Sequence, residues 1–358
     1  MREELRLKIQ RLVVKLGTGV LTDERMQPDM GQFEQLTAQV AAQRRAGREV
    51  ALVTSGAVGA GMGVLGFTRR PRELDELQAC AAVGQSRLMA IYERLFAQHN
   101  LRVAQVLLTH DDLEHHDRHL NVRHALITLL QRGVVPIINE NDAVSVTELK
   151  FGDNDRLSAL VATLLPADLL VILTTAEGLM ENFGQANART ISMVARIDAG
   201  LERHARGTAS ETAVGGMSTK LQAAKIVMRS GIPMVIASGR KRRVLERVLA
   251  GESEGTLFVP AAKRLQGRKR WIAFFHHPRG AWVVDEGAKT ALRERGKSLL
   301  PPGIVRAEGV FGAGDVVRIC DEDGTEFARG ITDIGAADLG GARGSRTEVV
   351  HRDNLVIL

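Results

Sequence analysis

Gly133-Val134-Val135-Pro136-Ile137-Ile138-Asn139-Glu140-Asn141-Asp142 is the stretch on which the fold turns. The glycine closes an amphipathic helical stretch, 117–132, at the position where helix carboxyl ends favour glycine. The apolar, β-branched run 134–138 then reads as a strand buried on both faces, and amides and carboxylates gather at its end. The same unit recurs along the chain. Strand-like runs at 12–14, 50–53, 103–108, 169–173 and 233–236 alternate with helical stretches at 31–46, 72–99, 154–165 and 218–230, with stops at Gly47, Pro166 and Gly231. Strand followed by helix, repeated, predicts a mainly parallel sheet with helices on both faces. Past about residue 256 the pattern changes. A charged connector, 263–270, leads to short strands at 281–284 and 315–319, a turn at Asp323-Gly324, and one convincing helix, 287–295. That tail is expected to form a small β-rich domain, a compact barrel.

The 358 residues are 25% charged and 44% hydrophobic, enough to bury a sizeable core. Cys80 and Cys320 stand far apart in apolar contexts and read as packed thiols, which points to a reducing cytosol. Residues 1–10 carry no signal-like apolar core, and no run is long enough to span a bilayer, so a soluble cytoplasmic protein is expected. A net charge of +6 and a pI near 9.6 suit nucleic acid and anionic substrates equally. The bases concentrate at Arg240-Lys241-Arg242-Arg243, Lys263-Arg264 and Arg268-Lys269-Arg270. Runs of this kind read first as solvated helix and linker faces. Aromatics at 4% supply little for stacking on single strands.

The chemistry collects in a few places. Thr54-Ser55-Gly56-Ala57, Asn139 to Asp142 and Phe151-Gly152-Asp153-Asn154-Asp155 put amides and carboxylates at strand ends, where polar groups in apolar surroundings need partners. They read as the floor of an active site. Gly215-Gly216-Met217-Ser218-Thr219-Lys220 opens a helix, and free N–H groups plus a lysine there make an anion site. Lys15 ends the first strand, just before Gly17-Thr18-Gly19. Two cations with backbone donors, faced by carboxylates and amides, describe phosphoryl transfer between anionic partners. The string Gly61, Gly63, Gly66 has the spacing of a dinucleotide loop, but residues 54–60 intervene after the strand and a nicotinamide site is not expected. His115 and His119 share a helical face, yet Asp111, Asp112, Glu114 and Arg118 around them suit a solvated helix start better than a metal site.

Six blocks now carry a resemblance: residues 13–18 (VVKLGT), 53–57 (VTSGA), 82–86 (AVGQS), 139–143 (NENDA), 152–155 (GDND) and 216–221 (GMSTKL). In order and spacing they resemble the glutamate 5-kinase family of the amino acid kinase superfamily, through about residue 260. The tail, with residues 268–271, 284–288, 298–301 and 351–355, is similar to the PUA domain that bacterial members append. The resemblance implies an α/β three-layer sandwich around a mainly parallel sheet at 1–262, a charged linker at 263–270 and a PUA-like β-barrel at 271–358. It implies transfer of the ATP γ-phosphoryl group to the side-chain carboxylate of L-glutamate, giving L-glutamyl 5-phosphate, the first step of proline biosynthesis.

Residue by residue, Lys15 and Lys220 match the lysines that stabilise the transferring phosphoryl group, and Asp155 the aspartate that holds them. Thr174, Thr175, Val214, Gly215, Gly216, Met217, Ser218 and Thr219 join both lysines as nucleotide positions. Ser55, Asp142 and Asn154 match the glutamate positions, with Asp142 suited to the substrate ammonium. Mg²⁺ would travel with the nucleotide and need no protein metal site. A homo-oligomer is expected, with glutamate-5-semialdehyde dehydrogenase receiving the labile acyl phosphate. The chain departs from the family pattern at Thr175, Met180, Glu181-Asn182-Phe183 and Ala213-Val214, which predicts weaker ATP binding, and its tail is shortened between Ile331 and Val349. The alternatives are a kinase for a related amino acid, or an RNA-binding PUA protein with a weakened kinase half.

Overall fold

Strand and helix alternate through the first part of the chain, as the periodicity predicts. In the computed structural model, which describes residues 9–24, 26–144, 154–182, 185, 187–206, 216–260, 265, 267–276, 278–342 and 347–358, these strands form one 8-stranded sheet. Its strands are β1 (Arg11–Leu16), β2 (Glu49–Val53), β3 (Val103–Leu108), β4 (Val135–Glu140), β5 (Leu169–Thr174), β6 (Met193–Val194), β7 (Met234–Ser238) and β8 (Thr256–Phe258). They lie in the order β3-β4-β2-β1-β5-β7-β8-β6. From β3 to β7 all neighbours are parallel, whereas β8 runs antiparallel to β7 and β6 pairs parallel with β8. Between the strands come α1 (Met30–Arg45), α2 (Ala57–Met62), α3 (Leu74–Ala97), α4 (His116–Gln131), α5 (Asp155–Leu164) and α6 (Met217–Arg229). Gly133, which closes α4, takes φ +77°, a conformation glycine adopts without steric cost.

β1, β2, β4 and β5 are buried almost throughout, whereas β3 is only partly covered. The expectation that 103–108 is buried on both faces is therefore corrected, since β3 is the edge of the sheet. The core gathers Leu12, Val14, Leu52, Ile137 and Val171 with Phe33, Tyr92 and Phe96 from α1 and α3. Phe33 and Tyr92 meet edge to face at 5.3 Å. Each such side chain contributes about 1.5–3 kcal/mol on burial, so the core fixes the strand ends that follow. Gly61 also finds its reason here. A Cβ on it would sit 1.9 Å from the Cys80 carbonyl oxygen, and one on Gly84 1.8 Å from that of Ala57, so these glycines let α2 and α3 cross in close contact.

The chain divides into two units, Met1–Asp112 with His116–Arg264, and Leu265–Leu358 with Leu113–His115. The second contains α7 (Gly267–Phe274), β9 (Gly280–Val284), α8 (Glu286–Arg295), β10 (Ile304–Gly309), β11 (Val316–Cys320), β12 (Glu326–Ile331) and β13 (Leu355–Ile357). Its 5-stranded sheet has the order β10-β9-β11-β12-β13. Trp282, fully buried, donates from Nε1 to Thr332 Oγ1 at 3.1 Å and meets Phe311 edge to face at 4.8 Å. Asp285 caps α8 by accepting from the Ala288 N–H at 2.7 Å.

α7 corrects two expectations. Residues 267–270 are helical rather than connector, and the tail has a second convincing helix. Charge hid this helix in the sequence, but Ile272, Ala273 and Phe274 bury its other side, and Arg329 Nη1 donates to the Ala273 carbonyl at 2.9 Å. Cys80 and Cys320 are free, buried thiols. Among the described residues no helix is long and apolar enough to cross a membrane.

Candidate active site

Because β1, β2, β4 and β5 are parallel neighbours, their carboxyl ends open on one side of the sheet, where ligands of open α/β sheets bind. Lys15 lies near the end of β1, in register with Val53 and Ile172. Asp155 is the first residue of α5, and Lys220 stands in the first turn of α6. All three are buried, at 4%, 0% and 5% exposure. Lys15 Nζ lies 2.7 Å from Asp155 Oδ1 and Lys220 Nζ 2.9 Å from Oδ2. Thr219 Oγ1 is 3.1 Å from the same Oδ2 and 2.7 Å from the Gly216 carbonyl.

A cation at a helix amino end opposes the helix dipole, and burying an ammonium costs several kcal/mol unless it is compensated. Asp155 supplies that compensation. Burial alone would push its carboxyl up, but the charges of Lys15 and then Lys220, with their hydrogen bonds, hold it well below the usual carboxylate range. One carboxylate between two ammoniums leaves a net positive centre against the amino ends of α5 and α6, a receptor for anions.

A chain of amides runs away from this centre. Asn154 Nδ2 lies 2.7 Å from Asn139 Oδ1, 2.6 Å from the Thr54 carbonyl and 3.3 Å from Ser55 Oγ. Asn139 Nδ2 donates to Gln85 Oε1 at 2.9 Å, and Gln85 Nε2 to Gln105 Oε1 at 3.2 Å. Thr54 Oγ1 and Tyr92 Oη are 2.6 Å apart, so the buried hydroxyls are paired as well. Gly56, at φ +99°, turns the chain from Ser55 into α2. Beside the amides lies a cavity of about 230 Å³, lined in part by Gln85, Ser86, Gln105, Glu140, Asn141 and Asp142. Burial pushes the Asp142 carboxyl up to about 6, with the Arg70 guanidinium pulling it the other way.

On the opposite flank, Gly17 N–H donates to the Leu173 carbonyl at 3.0 Å, which sets the glycine turn against β5. Thr174 ends β5, and a Cβ on Gly19 would lie 3.1 Å from Thr175 Cγ2. Gly216 precedes α6, with Met217, Ser218 and Thr219 in its first turn. Val214 and Gly215, like Phe151, Gly152, Asp153, Phe183 and Ala213, lie outside the described residues.

The structure thus joins Lys15, Asp155, Lys220 and Thr219 directly, and links Asn154 to Ser55. Asp142 lies on the cavity that Gln85 also lines. His115 lies exposed in the turn between the short helix His110–Glu114 and α4. The sequence places Asn139 on the floor of the site but gives no role to Gln85, Gln105 or Arg70. A glutamine beside Gly84 inside a long amphipathic helix, and another within a strand, were the available signals. Arg70 has none, since it stands among other arginines.

The chain is similar to known proteins along its whole length. A model of the amino acid kinase family matches residues 10–238, and one of the PUA domain matches residues 280–352. A glutamate 5-kinase of Geobacter sp. (strain M21) is 49% identical over 100% of both chains. That of Burkholderia mallei is 47% identical over 98% of each chain, and that of Moorella thermoacetica 46% over 98% of this chain and 96% of its own. Among solved structures, the carbamate kinase from Giardia lamblia bound to AMP-PNP aligns with a TM-score of 0.50 at 17% identity, covering 71% of this chain and 99% of that one. It is similar in fold.

Proposed function

The chain belongs to the amino acid kinase family and, within it, to the glutamate 5-kinases, and from that premise we propose how its residues divide the work of phosphorylating L-glutamate. The reaction is ATP-dependent transfer to the side-chain carboxylate, the first committed chemistry of proline biosynthesis. ATP and glutamate are its substrates, and a divalent metal ion accompanies the nucleotide, as in kinases generally. We propose that this ion is Mg²⁺, held by phosphate oxygens and water. Among the described residues no group of three His, Cys, Asp or Glu side chains is arranged to hold a metal.

The observation that carries the proposal is the single buried carboxylate of Asp155 holding two buried ammoniums. A glutamate side-chain carboxylate is already ionised at neutral pH, so no general base is needed. Its oxygen forms the new bond to the γ-phosphorus while the bond from phosphorus to the β,γ-bridging oxygen breaks and ADP leaves. Negative charge shifts towards ADP, and Lys15 and Lys220 are the fixed charges that follow it. Asp155 keeps both lysines in place without neutralising them. Gly216 to Thr219 and Thr174-Thr175 are proposed nucleotide contacts, with Val214 and Gly215 carried over by resemblance. Ser55, Asn154 and Asp142 are proposed to bind glutamate, with Asp142 on the substrate ammonium. The proposal includes kinase and PUA domains at 1–262 and 271–358, a homo-oligomer, a cytoplasmic location, and hand-over of the acyl phosphate to glutamate-5-semialdehyde dehydrogenase. A substrate panel tests the assignment: hydroxylamine-trapped acyl phosphate is expected with L-glutamate, and equal yields with L-aspartate or N-acetylglutamate would reject it.

Two further results are expected on the glutamate side. Asp142 is charged above a pKa of about 6 and neutral below it. The kcat/KM for glutamate should therefore fall as pH drops through about 6, while Asp142→Asn should be weak throughout and lack this step. The apparent affinity for ATP should barely change in that variant, and equal loss for both substrates would make Asp142 structural. Gln85→Leu removes the acceptor that orients the Asn139 amide. An orphaned buried amide costs about 1–3 kcal/mol, so glutamate KM should rise roughly tenfold, with Gln85→Glu restoring the acceptor in part. Steady-state titration of glutamate at saturating ATP reads this.

A further inference from the structure

The basic run Arg240-Lys241-Arg242-Arg243 has no part in the reaction as drawn so far, and in the sequence it suits a nucleic-acid surface as well as a solvated face. In the structure Arg240, Lys241 and Arg243 pair with acceptors of the chain itself, although Arg240, Arg242 and Arg243 stay exposed. Arg240 Nη2 donates to the Gly19 carbonyl at 2.8 Å and to the Thr22 carbonyl at 3.1 Å, and its Nη1 lies 3.4 Å from Asp29 Oδ2. The Lys241 ammonium pairs with Glu177 and, at 2.8 Å, with Glu254 Oε1, a side chain only 2% exposed. The Lys241 carbonyl accepts from Gln35 Nε2 at 3.0 Å. Arg243 is taken up by Glu246. A phosphate-binding surface needs basic groups free to exchange counterions for phosphates, and Arg240 and Lys241 are already held by acceptors of the chain.

The partners lie on one flank of the site. Gly19 lies in the one-turn helix Thr18–Leu21 that follows Lys15, Thr22 caps that helix, and Glu177 belongs to the loop after Thr174-Thr175. The connection itself is tight: Gly239 N–H donates to the Thr174 carbonyl at 2.8 Å, and a Cβ on Gly239 would lie 2.7 Å from Val20 Cγ1. The turn and the loop also touch each other, through Gly17 N–H to the Leu173 carbonyl and through Thr175 over Gly19. A turn with two glycines is costly to order, and a planar guanidinium fork reaching two of its carbonyls orders it before the nucleotide arrives.

We infer that Arg240 and Lys241 are positioning residues for the nucleotide half of the site, a clamp that holds the glycine turn after β1 and the loop after β5 in register. The inference rests on the proposed reaction, since it assigns these two segments to the nucleotide. Neither side chain touches the reacting atoms. Each acts through the backbone of the segment it holds.

The test is ATP titration of the full chain at saturating glutamate, together with direct binding of AMP-PNP, for the parent, Arg240→Ala, Arg240→Lys, Lys241→Met and the control Arg243→Ala. Thermal unfolding establishes that each variant is folded. Loss of charged hydrogen bonds to backbone acceptors corresponds to about tenfold. Arg240→Ala is thus expected to weaken AMP-PNP binding and raise ATP KM about tenfold, with glutamate KM within about twofold of the parent. Lys241→Met should act in the same direction, Arg240→Lys should recover part of the loss, and Arg243→Ala should match the parent. The clamp is overturned if an active parent and a folded Arg240→Ala share the same ATP dependence, if glutamate KM moves as much as ATP KM, or if Arg240 and Arg243 variants behave alike. Absence of turnover in the parent would instead overturn the reaction on which the inference rests, and the clamp with it.

Discussion

Lys220→Ala is expected to lower kcat by about 10²–10³ while glutamate KM changes little, because the ammonium is worth most when charge moves onto the leaving ADP oxygen. Lys15→Ala should behave alike. The two positions are equivalent in the geometry, each within 3 Å of one oxygen of Asp155, at 2.7 and 2.9 Å. In either variant the remaining lysine still pairs with Asp155, so the fold should survive and the loss should lie in the chemical step. Rapid-quench turnover separates this from binding. A rise in glutamate KM with kcat intact would mean that the lysine contributes ground-state binding only.

Asp155→Asn should be more damaging. It leaves the ammoniums of Lys15 and Lys220 facing each other, both buried, with no carboxylate between them. Breaking a buried ion pair from one side costs about 3–5 kcal/mol, and here two cations lose the same partner. The variant should lose turnover to the same degree as the lysine variants or beyond, and the unfolding transition of the first unit should drop by several degrees. The sign with pH is fixed by the depressed pKa of Asp155. Its contribution is present above the ordinary carboxylate pKa and is lost as pH falls through the lower, folded-state value. The stability gap between parent and Asp155→Asn should therefore be full at neutral pH and close in acid. A gap that widens in acid would show that Asp155 does not carry the charge assigned to it.

Much of this site was legible in the sequence because strand ends and helix starts announce themselves. Lys15 follows an apolar run and precedes a glycine turn, and Asp155 and Lys220 open helices, so topology alone brings them to one side of a parallel sheet. What pattern cannot convey is which polar side chains satisfy one another across long sequence separations. Asn154 reaches Asn139 and Thr54, Asn139 reaches Gln85, and Gln85 reaches Gln105, from four elements with no shared periodicity. The same holds for Arg240, whose partners lie more than two hundred residues earlier in the chain. The edge position of β3 was missed because its apolar composition matches that of the buried strands. The helix at Gly267–Phe274 was missed because charge at its start resembled a linker. Val214 and Gly215, expected at the nucleotide, lie outside the described residues, whereas Thr175 is described and packs over Gly19.

The central claim, that an Asp155-centred pair of lysines transfers phosphoryl to the side-chain carboxylate of glutamate, is tested most directly by single turnover of the full chain with saturating MgATP and L-glutamate in hydroxylamine. The account predicts one glutamyl hydroxamate for each ATP consumed, with the rate of its appearance falling about 10²–10³-fold in Lys220→Ala while glutamate and AMP-PNP still bind. ATP consumed without hydroxamate, or hydroxamate formed by Lys220→Ala at the parent rate, would contradict it.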